Sequence, residues 1–463
     1  MINRSPVSAS RIHLSFAGCL IILLSTISCQ RSIQPEYHQA ELSIEKQIDV
    51  DYRLYIPASY DSSTAWQLVL YLTGSDPSES MNSGMGKALE AGLESNFFLV
   101  VPQLTETGIW DVEALMHMLT DIESRYTIDT DNRRVIGFGD EGGYGAWDVA
   151  TSYPDAFSKI VPISAPACTE ICRLGGGSIR IFHGALDTLV PVADAVNMHF
   201  ELDHYCGSDV EITIFDSLGH NIQDEVFLNE DFWMWFTGSA FAQVKQNHQI
   251  AEEHFSLQVS RSVSDNYLLY LPQGYSWKKQ QWPLLIFLHG SGSAIQDIEK
   301  IRTTGPPSLF EQGMNSEFVL LAPQLHDNLP WDIERTYALI KKVISEYKVD
   351  ASRIYVTGLS RGGFGTWELA VDHPKLFAAV VPISARDIPA VERLTSSNLW
   401  IFHGGDDDGV PWQGSQFMFN RLENTGANVN FSLYDGVGHN AWDRAYNDPA
   451  LWQWLLAQTN ENP

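Results

Sequence analysis

Gly358-Leu359-Ser360-Arg361-Gly362-Gly363 follows the apolar run Arg353-Ile354-Tyr355-Val356-Thr357 and precedes a stretch of helical character. Strand, Gly-x-Ser-x-Gly and helix, in that order, raise a serine hydroxyl on a sharp turn as a nucleophile. Glycines flank the serine because the turn is too tight for side chains and demands strained backbone angles. The following helix turns its amide-rich N-terminus toward the serine and favours negative charge developing there. Gly-x-Ser-x-Gly is frequent by chance, so other residues must decide. Leu399-Trp400-Ile401-Phe402-His403-Gly404 has the pattern of a buried strand and runs into Gly405-Asp406-Asp407-Asp408-Gly409-Val410-Pro411. The strand pattern Asn430-Phe431-Ser432-Leu433-Tyr434 runs into Gly436-Val437-Gly438-His439. An acid and a histidine each just past the end of a strand lie where open α/β sheets carry their ligands. The chemistry of such a set is acyl transfer, with Ser360 as nucleophile, His439 as its base and an aspartate orienting the imidazole. The oxyanion would be held by the amide of Arg361 and by one from the loop His289-Gly290-Ser291-Gly292, that of Ser291.

An internal repeat chooses among the three aspartates. Ile179-Arg180-Ile181-Phe182-His183-Gly184-Ala185-Leu186-Asp187-Thr188-Leu189-Val190-Pro191 matches the segment ending at Pro411, with His183 opposite His403 and Asp187 opposite Asp407. Asp406 and Asp408 fall opposite Leu186 and Thr188, so Asp407 is the expected acid. The repeat continues elsewhere. Trp66 to Ser75 matches Trp282 to Ser291, Val101-Pro102-Gln103-Leu104 matches Ala322-Pro323-Gln324-Leu325, and Val161-Pro162-Ile163-Ser164-Ala165 recurs as Val381-Pro382-Ile383-Ser384-Ala385. Solenoid repeats have periods of about 20–50 residues. A spacing of about 220 residues marks instead a duplicated domain, and roughly 200 residues suffice for one well-buried core.

Under a constant offset Ser360 falls opposite Asp140, while Asp187 and His220 persist as counterparts of the acid and the base. The first copy therefore reads as a non-catalytic relic kept for packing, scaffolding or binding. The competing reading makes Asp140 a nucleophile. It is opposed by Asp76 and Glu141, which put negative charge where the stabilising donors should act.

Apolar strand patterns alternate with helical ones throughout, which predicts an α/β fold: two tandem domains, each a mostly parallel sheet flanked by helices, with no large lid. The expected organisation is a signal segment over 1–29, a tether over 30–45, a degenerate domain over 46–240 and a catalytic domain over 256–460.

The second copy resembles the secreted esterases of the α/β-hydrolase superfamily, especially the dienelactone-hydrolase-like, polyhydroxybutyrate-depolymerase-like and predicted-peptidase group. The resemblance rests on Leu288-His289-Gly290-Ser291-Gly292, Ala322-Pro323-Gln324, Gly358 to Trp367, His403-Gly404 through Val410-Pro411, and Gly438-His439-Asn440-Ala441-Trp442-Asp443. It implies a Ser-Asp-His hydrolase of carboxylic esters, often short acyl groups on polysaccharides, with no cofactor. A serine peptidase of the same fold is the alternative, and a binding role for the acidic first copy is another. Trp331, Trp367 and Trp442 are read as core residues before pocket walls.

The formal net charge is −28, and the imbalance is concentrated in the first copy. Such a charge disfavours nucleic acid and anionic membrane surfaces as partners. Arg4 and Arg11 precede the apolar stretch Leu14 to Ile27, which is too short to span a bilayer and suits an export signal. It ends at Thr26-Ile27-Ser28-Cys29, which resembles a lipobox with Cys29 as the lipidated residue. The expected location is the bacterial cell envelope or the exterior, with the membrane reached only through that anchor. Export permits a disulfide among Cys168, Cys172 and Cys206, and sequence does not choose the pair. Cys168-x-x-x-Cys172 lacks further ligands at zinc spacing, so no metal is expected.

Overall fold

The computed structural model describes residues 35–74, 84–91, 96–168, 171–174, 176–238, 249–275, 280–292, 297–314, 317–325 and 330–460. The first half contributes β1 (Glu36–Ile56), β2 (Trp66–Leu72), β3 (Phe97–Pro102), β4 (Ile128–Phe138), β5 (Lys159–Ile163), β6 (Ser178–Gly184) and β7 (Val210–Phe215). The second contributes β8 (Gln249–Tyr270), β9 (Trp282–Leu288), β10 (Val319–Pro323), β11 (Val349–Leu359), β12 (Ala379–Ile383), β13 (Asn398–Gly404) and β14 (Asn428–Tyr434). All lie in one 14-stranded sheet of order β14-β13-β12-β11-β9-β10-β8-β1-β3-β2-β4-β5-β6-β7. Read outward from the centre, the two halves have the same strand order. In each, the first strand is antiparallel to its neighbour and the others are parallel.

Burial explains the sequence patterns. Central strands such as β9 are apolar at nearly every position because helices cover both of their faces. Leu284, Ile286 and Leu288 enter one core with Trp367 and Leu339, while Leu285 and Phe287 enter the other with Tyr446 and Trp452. Helix Arg361–Asp372 packs its buried face, including Trp367, Leu369 and Ala370, against the sheet below the serine turn. No helical insertion beyond the crossover helices and short helical turns interrupts the second half among the described residues.

Two expectations need correction. The halves do not keep separate sheets, because β1 and β8 pair antiparallel from Glu36 opposite Leu269 to Ile56 opposite Gln249. The tether expected over 30–45 is accordingly β-strand from Glu36 onward, and β8 begins at Gln249, ahead of the expected start at 256. Each of these strands would otherwise be the edge of its own half, with a row of unpaired amides and carbonyls. Joining them satisfies both edges. The strands alternate buried or half-buried with exposed side chains along most of their length, the period-2 pattern that sets register when one face is covered.

Side chains also bind the halves together. The Tyr144 hydroxyl donates to Glu368 Oε1 at 2.9 Å, Arg386 reaches Glu201 and donates to the Cys168 carbonyl at 3.0 Å, and Arg393 donates to the Thr107 carbonyl at 3.0 Å. Burial, reinforced by nearby Asp148, pushes Glu368 up to about 8.

Cys172 and Cys206 form a disulfide across a separation of 34 residues, and Cys168 stays outside it as a buried thiol. Replacing both bonded cysteines with serine is expected to cost about 2–4 kcal/mol of stability through the enlarged unfolded ensemble. Urea denaturation of the oxidised protein against the double variant measures the difference.

Candidate active site

β11 ends at Leu359 and the next helix begins at Arg361, leaving Ser360 between them at φ 53° and ψ −121°. A non-glycine residue at positive φ is strained and persists only where its surroundings dictate it. A Cβ on Gly358 would lie 2.1 Å from the Gly362 carbonyl oxygen, and one on Gly362 would lie 1.8 Å from the Leu288 carbonyl oxygen. Strand and helix therefore approach so closely that only glycine fits on either side of the serine. The Ser360 amide donates to Ile383 O at 2.9 Å, and its carbonyl accepts from Gly363 and Phe364 at 2.8 and 3.1 Å.

The turn delivers the hydroxyl to an imidazole. Ser360 Oγ is 2.8 Å from His439 Nε2, and His439 Nδ1 is 2.7 Å from Asp407 Oδ2. Asp407 is buried, and its Oδ1 accepts from the amides of Gly409 at 3.1 Å and Val410 at 2.8 Å. Burial by itself would raise its pKa. Hydrogen bonds from His403, His439 and Val410 outweigh that and hold the carboxyl well below the usual range. An ionised Asp407 keeps the imidazole proton on Nδ1 and leaves the Nε2 lone pair facing Ser360. Asp406 and Asp408 are exposed, as their mismatch in the repeat implied.

Two positioning residues carried weaker signals. His403 Nε2 lies 2.9 Å from Val410 O and 3.2 Å from Asp407 Oδ2. Both are acceptors, so this nitrogen bears the proton and ties the acid loop to its strand. Ser384, at φ 50°, donates from Oγ to the His439 carbonyl at 2.9 Å. Ser164, also at φ 50°, does the same for His220 at 2.8 Å. Recurrence of the Val-Pro-Ile-Ser-Ala motif was the available sign of this role.

The His289–Gly292 loop passes beside the turn, since a Cβ on Gly290 would lie 3.4 Å from Ser360 Cβ. Ser291 follows it in the exposed part of the loop, and Arg361 opens the helix immediately after the serine. Buried His289 donates from Nδ1 to Gly290 O at 2.7 Å and accepts the Leu325 amide at Nε2 at 3.0 Å, an arrangement only neutral imidazole can make. Burial lowers its pKa to about 4. Trp367 and Trp331 are core residues, whereas half-buried Trp442 stands edge-on to His439 at 5.1 Å.

The first half repeats the acid and base but not the nucleophile. His220 Nδ1 is 2.8 Å from Asp187 Oδ2, and the amides of Leu189 and Val190 donate to Asp187 Oδ1 at 2.8 and 2.9 Å. Asp140 is not the counterpart of Ser360. In sheet register Val135 pairs with Ile160 as Val356 pairs with Val380, which shifts the match through this strand by one residue. The positive φ of the turn then belongs to Gly139, at 77°. The first half has one extra residue between this glycine and Gly142, whose close contact with Leu72 O mirrors that of Gly362 with Leu288 O. A constant offset hid that insertion. Asp140 lies in the helix beyond the turn and pairs with Arg421 of the second half at 2.8 Å. Burial raises Asp140 to about 7, against the opposing pull of Arg421. Off the strained turn and held by Arg421, this carboxyl does not meet the requirements of a nucleophile.

Cys29 and the expected signal segment lie outside the described residues. Among the described residues no helix is long and apolar enough to cross a membrane, and no His, Cys, Asp and Glu side chains group as a metal site.

The strand order, the strained serine turn, and acid and histidine past the ends of β13 and β14 are those of the α/β-hydrolase fold. No family model matches it. Poly(3-hydroxyalkanoate) depolymerase C of Paucimonas lemoignei is 29% identical over 147 residues, which cover 28% of this chain and 34% of that one. A probable feruloyl esterase C of Aspergillus terreus is 27% identical over 168 residues, covering 35% of this chain and 62% of that one. The corresponding Aspergillus flavus protein is 25% identical over 228 residues, covering 41% and 83%. The chain thus spans only part of the first relatives it matches. Among solved structures, a thermostable esterase is 24% identical and covers 47% of this chain and 74% of that one at a TM-score of 0.38.

His289 yields a pH dependence. Its imidazole takes a proton near 6.5 when unfolded but only near 4 in the fold. As pH falls through that window the unfolded state gains the proton first, so stability is complete above 6.5 and declines toward 4, by about 3 kcal/mol. Urea denaturation across this range is expected to show that slope in the wild type and its loss in His289→Asn. Equal slopes would remove the assignment.

Proposed function

We propose that the second half is a serine carboxylesterase acting through Ser360, His439 and Asp407. The observation carrying this reading is the unbroken hydrogen-bond series from Ser360 Oγ through His439 to Asp407, mounted on a strained turn. Ser360 Oγ attacks the acyl carbonyl as His439 Nε2 takes its proton. The resulting oxyanion is held by the amides of Arg361 and Ser291. Collapse expels the alkoxide, which receives the proton from His439, and leaves an acyl-enzyme. Water activated by the same histidine then frees the acid and restores the serine. Asp407 stabilises the imidazolium in both steps without taking up a proton. Trp442 forms one wall beside the base.

Esterase relatives favour ester over amide substrates, and short-chain or glycan-linked acyl esters fit a site with no large lid among the described residues. The peptidase alternative shares every step and differs only in the leaving amine. The two halves are read as copies of one domain, of which the first lost its serine. Export as a lipid-anchored or secreted protein, with lipidation at Cys29, belongs to the same proposal.

Ser360→Ala is expected to lower kcat on aryl acetates and methyl ferulate by on the order of 10⁵-fold or more, and Asp407→Asn by about 10⁴-fold. Steady-state rates on those esters and on peptide anilides check both variants and the class of substrate. Turnover surviving in Ser360→Ala would place the site elsewhere, and a preference for the anilides would favour the peptidase.

A further inference from the structure

The first half holds a prepared acid–base pair that the hydrolytic chemistry leaves unused. A cavity of about 820 Å³ lies over it, walled by Phe138, Gly139 and His220 from the first half and by Phe417, Asn420 and Arg421 from the second. A Cβ on Gly139 would lie 3.3 Å from His220 Nε2, so the ring nitrogen faces the space that a serine side chain would occupy. Asp187, depressed by its hydrogen bonds to His183, His220 and Val190 against the effect of burial, stays ionised and holds the imidazole proton on Nδ1. Nε2 is then a hydrogen-bond acceptor aimed into a cavity, and it calls for a hydroxyl donor.

We propose that this cavity is a non-catalytic binding site for a neutral, hydroxyl-rich ligand, a sugar unit, one of whose hydroxyls stands where the serine hydroxyl is missing and donates to His220 Nε2.

The remaining walls fit that chemistry. Asn221, Asn420 and Asn424 offer amide donors and acceptors, and Phe138 and Phe417 offer apolar faces, the few polar groups on an apolar frame that small-molecule sites use. Charge argues against an anion. Arg421 is taken up by Asp140 at 2.8 Å and by Glu392 at 2.6 and 2.8 Å, and Lys87 pairs with Asp224. With its charge so paired Arg421 is not open to an anion, which would also meet Glu141. With glycine at the turn there is no nucleophile, so the bound molecule is held and not cleaved. The site does not depend on the chemistry at Ser360. It would keep a polymeric substrate on the protein while the other half acts.

Calorimetric titration of full-length Ser360→Ala with xylotetraose and cellotetraose tests this, with spermidine and glucuronic acid as charged comparators. At least one tetrasaccharide is expected to bind, at least tenfold more weakly once His220→Phe is added, and with unchanged affinity once His439→Ala is added instead. If His220→Phe does not fold, Asn420→Leu, an exposed position on helix Gln413–Thr425, serves in its place with the same expected loss. Binding of neither saccharide, binding that ignores His220 and Asn420, or binding of spermidine alone would overturn the proposal. Ester turnover by the Ser360 enzyme is measured separately, so failure of either reading is recognised without the other.

Discussion

At the end of β11 the backbone of the next helix comes so near β9 that a single Cβ on Gly362 would strike the Leu288 carbonyl oxygen. Much of the site's geometry follows from that approach. It requires glycine on both sides of Ser360 and drives the serine to positive φ. The hydroxyl is thereby pointed at His439 in place of solvent. The strain is sustained by buried surroundings, since Ser360 is tied by its amide to β12 and by its carbonyl to the following helix.

Against this constraint the two halves read as a natural comparison. The first has the same close glycine contacts, acid loop, buried histidine behind it and serine anchoring the second histidine's loop. It lacks the hydroxyl, because the strained position is filled by Gly139, the residue for which positive φ costs least. The Asp–His pair is thus compatible with a turn that carries no nucleophile. Asp187 accepts two amides and a buried histidine, so its ionised state is maintained by the loop and is independent of any chemistry. In the second half Ser415 adds a hydroxyl to His403 Nδ1 at 2.7 Å, and at the corresponding position in the first half stands Ala195.

Union of the halves rests on different physics. β1 and β8 each close the open edge of the other, and the join is reinforced by Arg386, Arg393 and Tyr144 reaching across. Arg421 does more than bridge. It places a cation from the second half in the wall of the first half's cavity, so neither half alone presents the same surface.

Local pattern was enough for much of this. Apolar runs, glycine spacing and a repeat near 220 residues made the α/β class legible, along with Ser360, Asp407, His439, Asp187 and His220, because each depends on strand periodicity or on a turn that tolerates few residue types. The repeat also separated Asp407 from its neighbours, since burial behind His403 can hold only one carboxylate of the three. Tertiary structure alone decided the rest. The charged segment over 36–45 has no signal of its own for pairing with a partner more than 200 positions away. The pairing of Cys172 with Cys206 depends on two loops meeting. Alignment at a constant offset put Asp140 at the nucleophile position, and only sheet register and backbone angle moved that position to Gly139. Composition and spacing record what each segment prefers, whereas which residue bears the strain is set by the distance between backbones that the chain brings together from far apart.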